Sequence, residues 1–189
     1  MYFVKILAIL IISLTPIQAI AKMDVMVIDA QKNAVNHNNR GVIYMQDRYY
    51  APAIKEFQMA VLLDPDTQAS SIYYANLANC YMKIGYPALA QDTLQRAIKK
   101  HPMNFSFYQD LVIVYKRLGI TKQKQKQYQK ESEKNPLSQI MVGLILMEDG
   151  NTDAGLAKLQ EFIYLEPDLI ITNAVKRYIE DYSSIEYIK

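Results

Sequence analysis

The chain has 189 residues, a formal net charge of +2, 51% hydrophobic and 21% charged side chains, the composition of a folded domain or short repeat array rather than a disordered chain. A single Cys excludes a disulfide framework and a thiolate-based metal centre. The near-neutral balance argues against a dedicated nucleic-acid binder, which would concentrate basic residues on one face.

Residues 1–21 read as a secretory signal. Lys5 supplies the positive charge, Ile6 to Leu14 is a short apolar run, and Ala19-Ile20-Ala21 sets small side chains where a signal peptidase needs them. The run falls short of the roughly 20 residues that span a bilayer, so cleavage after Ala21 is expected, with an uncleaved anchor as the competing reading. Export follows, to a periplasm or, alternatively, by secretion. The lone Cys80 is far from this run, which argues against lipidation there. Residues 22–33 are expected to form a helical lead-in.

From residue 34 onward one unit recurs. Pro65, Pro102, Pro136 and Pro167 are spaced 37, 34 and 31 residues apart. Counting back from each Pro, one register holds Ala53, Ala90, Lys124 and Gly155, a second Phe57, Leu94, Tyr128 and Leu159, and a third Tyr44, Tyr81, Tyr115 and Leu146. Small residues such as Gly41, Ala53, Ala78 and Ala90 let two helices approach closely. Gly85, Gly119 and Gly150 stand where a helix ends in a left-handed cap, and each Pro closes a second helix. The acidic residues of Asp64-Pro65-Asp66 and Glu166-Pro167-Asp168 precede the next helix start, where the dipole favours them.

The unit resembles the tetratricopeptide repeat, a helix–turn–helix with the pattern W-x2-L-G-x2-Y, A-x3-F, P. The second copy is the best, with Tyr74, Leu77-Ala78, Tyr81, Gly85, Ala90, Leu94, Ala97 and Pro102. The first matches in its second half, the third is good in its first helix and poor in its second, and the fourth has a shortened first helix. The resemblance covers residues 34–168 in units of about 34–67, 71–104, 105–137 and 138–168, with residues 169–189 as a C-terminal capping helix and tail. It implies an all-α right-handed superhelical solenoid of helix-turn-helix repeats.

Catalytic chemistry is missing from the pattern. His37 and His101 have no ligand or base partner at helical spacing, and there is no phosphate-binding Gly-rich loop, G-x-S-x-G or H-E-x-x-H. No enzyme activity, cofactor or metal is expected. Cys80 reads as a small apolar residue in a helix contact, the alternatives being a disulfide-linked dimer or a reactive thiol.

In the family, first helices of successive repeats line a groove that holds a segment of another protein. Carried over by place, the partner groove is Asn38, Val42 and Met45 from the first unit and Asn79, Met82 and Lys83, with neighbouring Asn76, from the second. The third unit adds Gln109, Ile113, Lys116 and Arg117. Met adapts to varied side chains, and the amides can pair with a ligand backbone. One branch of the family clamps a C-terminal carboxylate with Lys and Arg. Here those places hold Asn38, Ser106 and Asp110, which argues against a chaperone-tail clamp.

Charge is uneven. Residues 83–136 carry eleven basic and four acidic groups, and residues 137–189 carry four and nine. Lys122, Lys124, Lys126 and Lys130 form a basic patch, read first as a solvated helix face. The alternatives are a dock for an acidic partner or anionic lipid, giving peripheral membrane contact, and head-to-tail contact with a second copy. The expected function is a protein-binding scaffold that assists assembly or stability of an envelope complex such as pilus, secretion or cell-wall machinery. A self-associating subunit is the alternative, and nucleic acid is not an expected partner.

Overall fold

The computed structural model describes residues 30–186, so the signal segment, its cleavage point and most of the lead-in lie outside the described residues. The described residues hold nine helices and no strand. They are α1 (30–46), α2 (Tyr50–Leu63), α3 (Ser70–Lys83), α4 (Pro87–Lys100), α5 (Phe105–Leu118), α6 (Thr121–Glu131), α7 (Leu137–Glu148), α8 (Thr152–Leu165) and α9 (Thr172–Glu186). Residues 30–33 of the expected lead-in already belong to α1. None of these helices is long and apolar enough to cross a membrane.

The turns inside the four helix pairs close alike. A backbone N–H reaches five residues back at Tyr49 to Tyr44 (2.8 Å), Tyr86 to Tyr81 (2.8 Å), Ile120 to Tyr115 (3.0 Å) and Asn151 to Leu146 (2.9 Å). Such a closure needs a left-handed residue just before the donor. Gly85, Gly119 and Gly150 supply it at φ 84, 70 and 87°, whereas the first pair uses Arg48 at φ 63°. A side chain in that conformation is strained by roughly 1–2 kcal/mol.

Within a pair, small residues set the approach. A Cβ on Gly41 would lie 2.6 Å from the Phe57 ring, so α1 and α2 meet only because Gly stands there. Gly143 and Gly155 do the same for α7 and α8. Stacked pairs then share a core in which Tyr74, Ala78, Leu94, Tyr108, Leu111, Tyr115, Ile140, Ile145, Leu159 and Phe162 are buried. α9 packs on α8 and buries Val175, while Ile171 just before it is also buried, closing the end of the array.

The third pair departs from its neighbours. Where the other second helices have Ala53, Ala90 or Gly155, α6 has Lys124, and where the other first helices have Gly41, Ala78 or Gly143, α5 has Val112. α6 has no buried residue and ends at Glu131, well before Pro136. Its partner α5 packs more extensively on α7 than on α6. Tyr128 ties α6 to α5, its hydroxyl 2.9 Å from that of the buried Tyr115, while α6 packs chiefly on α7 of the next pair. Two of the acidic residues expected to serve helix starts act otherwise: Asp64 accepts from Thr67 at 2.6 Å, and Asp66 pairs with Lys100 of α4 at 2.7 Å.

Candidate functional site

The first helices α3, α5 and α7, joined by α9, enclose two adjoining concavities. The larger, about 420 Å³, has a floor of Ala75, Ala78, Leu94 and Val114 and walls of Asn79, Met82, Lys83, Asp110, Ile113 and Arg117. The second, about 300 Å³, is bounded by Gln109, Val112, Ile113, Leu144, Met147, Glu148, Tyr178 and Tyr182. Ile113 borders both and is 51% exposed, an apolar ridge between two hollows.

These side chains converge because helix positions three, four and seven apart share a face. Asn79, Met82 and Lys83 form one stripe on α3, and Asp110, Ile113 and Arg117 another on α5. Of the residues expected in the groove, Asn79, Met82, Lys83, Ile113 and Arg117 line the larger concavity, and Gln109 and Ile113 line the second. Lys116 is exposed and ties α5 to α7 by donating to Glu148 Oε1 at 2.8 Å, which raises its pKa.

Other expected groove residues are engaged elsewhere. Val42 and Met45 pack against the buried Ala53, Phe57, Leu77 and Cys80. Asn76 Nδ2 donates to Asn38 Oδ1 at 2.9 Å, so these two amides link α1 to α3. His37 has a partner that helical spacing did not reveal: its Nδ1 lies 2.7 Å from Glu56 Oε2 on α2, and Arg40 also donates to that carboxylate at 3.0 Å. Burial pushes the Glu56 carboxyl up, but the hydrogen bonds from His37 and Arg40 prevail and hold it below the usual carboxylate value. His101 stands edge-on to Phe107. Among the described residues no three His, Cys, Asp or Glu side chains gather to hold a metal ion.

The lining also holds residues that were not expected, among them Asp110, Tyr178 and Tyr182. Tyr178 and Tyr182 are four apart on α9, and the Tyr178 ring lies 5.3 Å from that of Phe105 at the start of α5. The spacing of the two tyrosines was the available signal. The patch lysines lie on α6, where Lys122, Lys126 and Lys130 are exposed while Lys124 Nζ sits 5.4 Å over the Tyr115 ring. Beside α6 a smaller hollow of about 130 Å³ opens between α4, α5 and α7, with Tyr108, Tyr128 and Met141 in its wall.

Residues 72–99, within α3 and α4, match the tetratricopeptide-repeat family. No curated protein matches the chain. Among solved structures, the crystal structure of MamA protein is 22% identical over 71% of this chain and 74% of its own, with a TM-score of 0.49. YrrB, described as a TPR protein with an unusual peptide-binding site, is 16% identical over 86% of this chain and 88% of its own, with a TM-score of 0.46. The first TPR of Spaghetti (RPAP3), bound to an HSP90 peptide, is 15% identical over 82% of this chain and 95% of its own, with a TM-score of 0.47. Residues 72–99 are thus one unit of the tetratricopeptide-repeat family, and further helix pairs are stacked on either side of it in an all-α repeat array.

Proposed function

We propose that the chain binds a segment of a partner protein along its concave face and works without catalysis, as a scaffold in the assembly or upkeep of an envelope complex. The observation that carries this is the pair of adjoining hollows sharing Ile113, with apolar floors and amide and charged walls. Apolar concavities with a few placed polar groups are the usual chemistry of a binding site. The signal-like residues 1–21 support the envelope location.

The test is affinity capture from an envelope extract by the parent chain and by Asn79→Arg. Asn79 is exposed and lines the larger hollow, whereas Asn76 holds α1 to α3, so only Asn79 can be changed without loosening the fold. Loss of one captured protein, with the helical circular dichroism unchanged, is expected. Equal capture by both forms overturns the groove assignment.

Self-association is the second reading, favoured by the exposed Lys122, Lys126 and Lys130 on α6 and the exposed Glu161, Asp168, Glu180 and Asp181 near the other end. It requires a mass that rises with concentration and falls with salt, because exposed charges are screened beyond about 8–10 Å. A constant monomer mass in sedimentation excludes it.

A further inference from the structure

The larger hollow contains three charges without partners. Asp110, Lys83 and Arg117 all line it, and none of them forms an ion pair or side-chain hydrogen bond among the described residues. Asp110 is partly buried, while Lys83 and Arg117 are exposed at the ends of α3 and α5. Burial pushes the Asp110 carboxyl up, and no nearby cation or donor offsets it. Its oxygens still reach water, so the carboxylate is half-sheltered in the hollow and open to a donor from outside the chain. A ligand can bring that donor.

The arrangement also restricts the ligand's charge. A wholly basic segment would be repelled by Lys83 and Arg117, and an acidic tail would meet the Asp110 carboxylate. Asp110 and Arg117 are seven residues apart on one face of α5, about 10 Å along the axis at 1.5 Å per residue. An extended chain covers that distance in about three residues at roughly 3.3 Å each. Between them stands Ile113, which with Met82 offers apolar contact to the intervening side chains.

We propose that this hollow selects a partner segment carrying a Lys or Arg and, about three residues away, an Asp or Glu. The basic side chain meets Asp110, the acidic one meets Lys83 and Arg117, and small or apolar residues pass over Ile113. This rests on the groove reading above and adds the charge pattern of the partner to it.

The test uses a displayed library of random ten-residue peptides, selected in parallel on the full chain and on Asp110→Asn, Asp110→Lys and Asn79→Arg. On the parent, peptides with the opposite-charge pair should exceed all-acidic and all-basic ones by about tenfold, the scale of one good charge pair. Asp110→Asn should erase the demand for a basic residue, and Asp110→Lys should turn selection toward all-acidic peptides. In urea, Asp110→Asn should unfold no earlier than the parent, since it removes an unpaired charge. An unchanged ranking in Asp110→Asn, or a markedly less stable variant, overturns the proposal. Peptides that bind Asn79→Arg as well as the parent overturn the groove reading itself, as does a library with no enrichment on the parent.

Discussion

Gly143 and Gly155 face each other where α7 crosses α8: a Cβ built on Gly143 would lie 3.0 Å from the Gly155 carbonyl oxygen, and one on Gly155 would lie 2.7 Å from that of Gly143. Backbone meets backbone, so neither side can yield by turning a side chain. Gly155→Ala should therefore cost about 1–3 kcal/mol, as overpacking of a tight core does. Gly85 is the contrast, because its Cβ would meet nothing within 4 Å and only its φ of +84° is demanding. Gly85→Asn should be tolerated and Gly155→Asn should not. Urea unfolding of the variants decides both.

Arg48 holds a conformation that Gly holds in the other three turns. Arg48→Gly should stabilise the chain by about 1 kcal/mol, the strain of the left-handed region less the entropy Gly adds to the unfolded state. A lower urea midpoint in Arg48→Gly would show that the Arg side chain makes a compensating contact.

Cys80 is buried and its thiol is pushed up to about 11 by burial. Thiolate is the reactive form, so alkylation at pH 8 should be slow in the native chain and fast in denaturant. The folded state prefers the protonated thiol, so its contribution to stability is intact below pH 9, the unfolded value, and is lost as pH rises towards about 11. Cys80→Ala should flatten that part of the alkaline decline. Equal alkylation rates with and without denaturant would refute the burial argument.

The Tyr115 and Tyr128 hydroxyls share one hydrogen bond at 2.9 Å. A double-mutant cycle with Phe at each place should give a coupling of about 0.5–1.5 kcal/mol, the net worth of such a bond. A coupling near zero would mean that each hydroxyl is satisfied without the other.

Much of this architecture is legible in the sequence because it is local. Pro65 or Gly85 ends a helix by its own backbone chemistry, and Ala78 with Ala90 marks a crossing inside one unit. Contacts between units depend on how far each pair rotates relative to the last, which no single unit encodes. The Asn38 to Asn76 hydrogen bond joins residues 38 apart, and Phe105 meets Tyr178 from a helix outside the repeats. The same reason separates the site residues. Asn79, Lys83, Ile113 and Arg117 were readable from their places in a unit, while Asp110 was read only as a missing cation. Its role needs the opposing wall to be seen.

The slight pairing of α5 with α6 has a mechanical consequence. α6 leans chiefly on α7 of the next unit, and α5 reaches α7 directly as well, so α7 is the node through which the third pair is held. A trypsin cut at the exposed Lys122, Lys126 or Lys130 would leave the contact of α5 with α7 in place, and the two halves of the array would stay joined.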